Sequence, residues 1–215
     1  MANRYFSTAR DEIFPHLPDK ITRLLDLGCG TGATVAAIKD LAGQTPFWAG
    51  GVELDPSAAA SAATVMDRIW AGDAEADAFD QEIEAGSLDV ILCLDVLEHL
   101  ADPWAMVRRL SPLLKPGGRL IVSLPNIRHY KFIVGLLFRG DFHYRDAGLL
   151  DRTHLRFFVR QTAIELVTTG GLTLSHCGPS RPFRPMEVRR FLLAASFGGL
   201  EPLLTKQYVL VAKQT

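Results

Sequence analysis

A chain of 215 residues, 48% hydrophobic and 22% charged, has the composition of one folded domain, since domains usually run about 50–250 residues. Its net charge of −1 offers no general attraction to a polyanion, and no apolar run reaches the roughly 18 residues a bilayer span needs. Cys29, Cys93 and Cys177 stand at unrelated spacings and argue against a disulfide framework or a zinc site, and residues 1–6 lack an apolar signal core, so a reducing cytoplasm is expected.

The first informative stretch is Leu24-Leu25-Asp26-Leu27-Gly28-Cys29-Gly30-Thr31-Gly32, an apolar strand over Arg23–Leu27 running into a glycine turn. A side chain at Gly28, Gly30 or Gly32 would block close approach of a ligand to the backbone, or forbid the positive φ that such turns use. A helix over Ala33–Leu41 follows, with its free N–H groups facing the turn. Residues 28–33 also satisfy the dinucleotide pattern G-x-G-x-x-[GA]. Asp26 separates the two ligand classes. A carboxylate two residues before the first glycine repels a pyrophosphate, whereas S-adenosylmethionine has no phosphate and carries an ammonium and a sulfonium. The turn favours a methyl donor over NAD.

A second apolar strand ends at Glu53, 25 residues after Gly28, where a doubly wound fold places a carboxylate on ribose hydroxyls. Asp55 can cap the next helix and Pro56 suits its first position, with the small residues Ser57–Thr64 allowing close packing. A short strand over Arg68–Ala71 leads to Gly72-Asp73-Ala74, and Leu88–Leu100 supplies a fourth strand with its exit loop. Asp102-Pro103 opens a helix with Val107, Leu110 and Leu114 on one face, and Pro116-Gly117-Gly118 ends it before a fifth strand over Arg119–Leu124. Ile127–Leu150 then mixes aromatics, arginines and a short apolar helix, and reads as an inserted lid. Gln161–Gly170 predicts a crossover helix, Leu172–Cys177 a sixth strand, Met186–Ser196 a helix and Lys206–Lys213 a last strand with alternating Tyr208, Leu210 and Ala212. Strands alternating with helices predict a parallel sheet wound on both faces.

From Leu24 to Asn126 these motifs, in this order, resemble the class I S-adenosylmethionine-dependent methyltransferases. The resemblance implies a Rossmann-like, doubly wound, seven-stranded and mostly parallel sheet, its last strand antiparallel between the fifth and sixth, with a lid insertion after strand five. It implies one domain over 1–215, made of a cofactor half (1–126), a lid and acceptor segment (127–160) and a C-terminal part of the sheet (161–215). Asp151–Phe158 is also similar to a segment of a bacterial subgroup that includes ubiquinone-pathway and surface-sugar O-methyltransferases. On this reading Asp26, Gly28, Cys29, Gly30 and Gly32 hold the methionine end of the cofactor, and Glu53 with Leu54 beside it takes the ribose. Asp73 and Ala74 take the adenine, and Leu94 and Asp95 lie beside the reactive methyl. Asp95 has a second reading, as a cap on the Val96–Leu100 turn. Tyr5 and Phe6 either close over the cofactor or simply pack.

Methyl transfer from a sulfonium is an in-line displacement, so the protein supplies proximity, alignment and, for a hydroxyl acceptor, a base. His99 is one candidate, since an imidazole titrates near neutral pH, and a structural hydrogen-bonded role is the other reading. His154 is the second candidate, with Asp151 placed to orient it. His129, His143 and Tyr144 fall in the lid, and the histidine spacings match no compact ligand pattern, so no metal is expected. Residues 1–127 hold 10 Lys and Arg against 18 Asp and Glu, and residues 128–215 hold 13 against 6, a change from −8 to +7. This is either solvated surface charge or an acidic cofactor half facing a basic acceptor half. Arg128–Arg139 and Arg181–Leu193 are amphipathic with cationic residues, fit for a lid and a core helix or for transient contact with an anionic membrane surface.

The expected activity is O-methylation of a small molecule or lipid-linked intermediate that carries negative charge or is reached at an anionic surface. One rival is a nucleic-acid or protein methyltransferase. DNA amino-methyltransferases carry an Asn/Asp-Pro-Pro-aromatic motif after strand four, where Cys93-Leu94-Asp95-Val96 stands here. The other rival is an inactive cofactor-binding partner subunit.

Overall fold

A computed structural model describes residues 8–43, 46–181 and 193–215. Seven strands form one sheet: β1 (Arg23–Leu27), β2 (Trp48–Glu53), β3 (Arg68–Ala71), β4 (Leu88–Leu94), β5 (Leu114–Pro125), β6 (Thr173–Pro179) and β7 (Gln207–Lys213). Their order is β3-β2-β1-β4-β5-β7-β6, parallel from β3 through β5, with β7 antiparallel to both of its neighbours. The chain reverses direction across the sheet between β1 and β4. That switch is where doubly wound sheets open a crevice for ligands beyond their carboxyl ends.

Both faces of the sheet are covered, which explains why its central strands read as apolar runs. On one face Leu25, Leu27, Ile91, Cys93, Leu120 and Val122 meet α3 (Pro103–Leu110) and α5 (Arg160–Val167). On the other, Leu24, Val90, Leu92 and Ile121 meet α1 (Ala33–Leu41), the end of α2 (Pro56–Ala62) and Ile13 of a 3-10 turn over Asp11–His16. In β7 the alternating Tyr208, Leu210 and Ala212 face the first layer, while Val209 and Val211 face the second. The Asp55 and Asp102 carboxylates accept from Ala58 N at 2.8 Å and Ala105 N at 2.9 Å, so both cap-plus-proline helix starts form as their chemistry requires.

Leu114 does not extend the α3 face. The helix ends at Leu110, a 3-10 turn spans Ser111–Leu113, and Leu114 already pairs with Leu88 as the first residue of β5. Pro112 drives the change, because proline inside a helix removes a backbone donor. The expected contacts of Tyr5 and Phe6, and most of the helix expected at Met186–Ser196, lie outside the described residues. Among the described residues no helix is long and apolar enough to cross a membrane.

Two further helices are α4 (Tyr130–Arg139) and α6 (Glu201–Leu204). The segment carrying α4 leaves the sheet at Asn126 and returns at Phe158, with Ile127 N donating to Phe158 O at 2.9 Å. Asn126 is buried and braces this neck: its Nδ2 donates to Pro202 O and Thr205 O at 2.7 and 2.8 Å, and its Oδ1 accepts from Arg128 N at 3.0 Å. Within α4 only Gly135 is buried, leaving Leu137 and Phe138 more than 70% exposed.

Candidate functional site

The glycine turn sits between β1 and α1 with φ of 71°, 55° and 80° at Gly28, Gly30 and Gly32, a region that L side chains avoid. A Cβ at Gly28 would lie 2.3 Å from Val96 Cγ2, so the turn is pressed against the loop leaving β4. Gly28 N and Cys29 N donate to Val52 O, and Glu53 grips the turn from β2, its Oε2 accepting from Gly30 N at 2.8 Å. Its other oxygen accepts from Asp55 N at 2.9 Å. Glu53 therefore has a bracing task in addition to the cofactor contact expected of it, and it is 6% exposed at the carboxyl end of the sheet.

Asp26 is buried in the same corner, and its pKa is pushed up to about 8 by burial and by the neighbouring Glu53 charge. A cation entering this corner would favour the charged carboxylate and oppose this rise. Asp95, at the end of β4, adopts φ 58°, a left-handed conformation that non-glycine residues adopt at a cost. Its side chain does not cap the following turn. Instead it accepts from Arg10 Nη1 at 2.6 Å, from Ser123 Oγ at 2.9 Å and from Gln207 Nε2. The hydrogen bonds that fix it come from β5 and β7 rather than from its own turn, so tertiary partners override the local preference.

Arg10 is a candidate site residue that sequence reasoning did not single out. It lies upstream of β1 in a segment without periodicity, yet it donates to Asp95, to Glu12 at 2.6 Å and to Ser123 at 3.2 Å, in electrostatic contact with Asp26. Arg109 of α3 is a second. Its guanidinium grips Asp80 and donates to Ala74 O at 3.0 Å and Asp77 O at 2.6 Å, which fixes the loop carrying Asp73 and Ala74. Asp73 itself accepts from Glu75 N at 2.9 Å, closing a turn, and Leu54 stands 71% exposed after Glu53.

The excursion between Asn126 and Phe158 folds back onto the exit of β4, where Leu155 N and Arg156 N donate to Glu98 O at 2.9 and 3.0 Å. This brings His154 against His99, their rings edge to face with centroids 4.7 Å apart. His99 Nδ1 lies 3.2 Å from Thr153 O and His154 Nδ1 3.3 Å from Leu149 O. Burial, then the nearby His99, hold the His154 pKa below its usual value. Asp151 does not orient this ring with its carboxylate, which accepts from Thr153 N and Thr153 Oγ1; only its backbone carbonyl reaches His154 N. The short Asx turn wins because both donors lie two residues away.

A cavity of about 460 Å³ is lined by Tyr144, Arg152, His154, Leu155 and Phe157. Two arginines of this excursion face aspartates: Arg145 pairs with Asp141 at 3.6 Å and Arg152 with Asp146 at 2.6 Å, while Arg156 donates to Ala101 O.

Residues 25–120 match the family model described as a methyltransferase domain. The curated ubiquinone biosynthesis O-methyltransferase of Xanthomonas axonopodis pv. citri (strain 306) is 29% identical over 165 residues, 70% of this chain and 65% of that protein. The chain thus spans about two thirds of the length of the curated relatives it matches. Among solved structures, a SAM-dependent methyltransferase from Archaeoglobus fulgidus aligns over 99% of this chain and 98% of its own, with TM-score 0.66 at 14% identity. A SAM-dependent methyltransferase from Thermotoga maritima, described as a possible histamine N-methyltransferase, aligns over 100% and 96% with TM-score 0.66 at 16% identity. These two likenesses show the fold, and the family model falls on the strands that build the glycine turn and the β4 exit. The chain is thus similar to methyltransferases over residues 25–120 and shares the fold of these two structures.

Proposed function

We propose that the protein transfers a methyl group from S-adenosylmethionine to an oxygen of a small, partly aromatic acceptor held in the cavity beside His154. The observation that carries this reading is the placement of that cavity: His154 lines it and also packs on His99 at the exit of β4, next to Asp95. The O-methyltransferase relatives support oxygen as the methylated atom.

S-adenosylmethionine supplies an electrophilic methyl on a sulfonium. Asp26 receives the positive charge of its methionine end, and Arg10 is the cation placed to take the carboxylate, with Asp95 and Glu12 fixing the guanidinium. Glu53 holds the ribose hydroxyls while bracing Gly30, and Asp73 with Ala74 faces the adenine on a loop that Arg109 keeps rigid. Leu54 covers the ribose and adenine from the open side. Tyr144 and Phe157 offer aromatic faces to the acceptor, and the cluster of Glu98, His99 and His154 lies where a hydroxyl must lose its proton. The segment over residues 127–150 acts as the lid, hinged at the Asn126–Phe158 neck. A negatively charged acceptor is the finer reading, resting on Arg152 at the cavity wall.

Calorimetry with S-adenosylmethionine, S-adenosylhomocysteine and NAD, followed by transfer of labelled methyl to a panel of phenols, catechols and carboxylates, tests this reading. Binding of the first two, no binding of NAD and labelling of a phenolic oxygen are expected. NAD binding, or labelling only of nitrogen, protein or nucleic acid, would overturn it. A Kᴍ for the acceptor that is unchanged in Arg152→Gln would remove the charged-acceptor reading alone.

A further inference from the structure

We propose that Gln207 is a positioning residue for the methyl donor. Through Asp95 it aims Arg10 at the donor's carboxylate, and it ties that clamp to the neck of the excursion between Asn126 and Phe158. The inference rests on the role given to Arg10 above.

Gln207 opens β7 and pairs with Pro125, the last residue of β5. Because β7 runs antiparallel, its first residue stands at the carboxyl ends of the parallel strands, 112 residues from Asp95 in sequence but hydrogen-bonded to it. The two oxygens of Asp95 divide their partners. Oδ1 accepts from Gln207 Nε2 and from Ser123 Oγ at 2.9 Å, which leaves Oδ2 to accept from Arg10 Nη1 at 2.6 Å. Arg10 Nε donates to Glu12 at 2.6 Å and Nη2 to Ser123 Oγ at 3.2 Å, so all three guanidinium nitrogens are engaged and the plane is fixed. One N–H on each of Nη1 and Nη2 is not used by these bonds, and with such a pair a guanidinium takes a carboxylate in parallel.

Two features make Gln207 more than one donor among three. The left-handed backbone of Asp95 is costly and persists only where surrounding groups over-determine it, and the amide holds the oxygen that Arg10 does not. The amide is also neutral. Arg10, Glu98 and His154 already act electrostatically on Asp95, so a lysine at position 207 would compete with Arg10 and an acid would repel the carboxylate. The link to the neck runs through the residues just before Gln207. Asn126 donates to the carbonyls of Pro202, Thr205 and Lys206 at 2.7, 2.8 and 2.9 Å. Thr205 Oγ1 and Tyr208 Oη donate to the Glu201 carboxylate at 2.6 and 3.3 Å, which stiffens the same junction. A shift of the excursion at its neck therefore moves the backbone that sets the Gln207 amide.

The test uses the full chain and calorimetry with S-adenosylmethionine and with its decarboxylated form, which keeps the sulfonium and the ammonium. Gln207→Leu should bind S-adenosylmethionine about 3- to 10-fold more weakly and the decarboxylated form as wild type does. Gln207→Glu supplies a readout that lost packing would not move: protonated, its carboxyl donates to Asp95 as the amide does, and ionised, it repels Asp95. Its loss relative to wild type should widen from about pH 5 to about pH 8, while that of Gln207→Leu should keep one value. The ratio to wild type cancels the titration of Asp26, which both chains share. Asn126→Ala should repeat the selective loss, and the double variant with Gln207→Leu should lose less than the sum. Retention of the melting shift induced by the decarboxylated donor shows that each variant is folded. Equal losses for both donors in Gln207→Leu, or a Gln207→Glu loss that ignores pH, would overturn the positioning role. An additive cycle would overturn the link to the neck. Absence of S-adenosylmethionine binding by wild type would overturn the proposed function, and equal wild-type affinity for the two donors would overturn the role of Arg10 within it.

Discussion

Replacing Asp26 by asparagine should weaken the cofactor and stabilise the protein, and both effects should grow with pH. The carboxyl is buried with a pKa of about 8, against 3.8 when solvated. Between those two values the unfolded chain carries the charge while the folded chain holds the proton. The folded state binds more protons, so stability falls as pH rises from about 4 to about 8 and is flat above. A rise of this size corresponds to on the order of 5 kcal/mol, which Asp26→Asn recovers in part. The same charge attracts the ligand. Opposite charges about 4 Å apart at an effective permittivity near 20 attract by roughly 4 kcal/mol. At pH 7 about 1.4 kcal/mol of that is spent ionising the acid. The variant should therefore bind S-adenosylmethionine about 10- to 100-fold more weakly at pH 7, and the ratio should widen towards pH 8. Calorimetry from pH 6 to 8.5, in buffers of different ionisation enthalpy, reads both the affinity ratio and a proton released by the wild type. Urea melts over pH 4 to 9 read the stability gap. Equal affinities at pH 8, or a stability gap that does not change with pH, would refute the reasoning.

Gly28→Ala should destabilise by about 2–4 kcal/mol, because its Cβ meets Val96 Cγ2 at 2.3 Å and its φ is 71°. Val96→Ala should restore part of the loss in a double-mutant cycle, and an additive cycle would show that the two side chains do not compete. Arg10→Gln should weaken S-adenosylmethionine by about 1.5–3 kcal/mol while leaving methylthioadenosine, which has no carboxylate, unaffected. Equal losses for both ligands would place Arg10 elsewhere. Asn126→Ala removes three hydrogen bonds at the neck of the excursion and should cost about 2–4 kcal/mol in urea melts. It should also raise hydrogen exchange at Ile127, and an unchanged rate there would argue that the neck holds without Asn126.

The sequence by itself determined the sheet and the glycine turn after its first strand, for a local reason. A strand buried on both faces must be apolar, a turn with positive φ calls for glycine, and a cap needs its acid within three residues of the donor it binds. These constraints are met inside short windows, so β1, α1, β3 and the capped starts of α2 and α3 could be placed within a residue or two. The boundary at Leu114 was misjudged because helix face and strand start share an apolar residue, and only pairing with Leu88 separates them. Tertiary structure alone decided the rest. Arg10 reaches Asp95 across 85 residues, and Arg109 holds a loop more than 30 residues before it. The gathering of Glu98 and His99 with His154, 55 residues beyond, depends on the carbonyl of Glu98 accepting two amides of the returning chain. Such convergence leaves no period or spacing in the sequence, because what sets it is the path of the backbone between the elements.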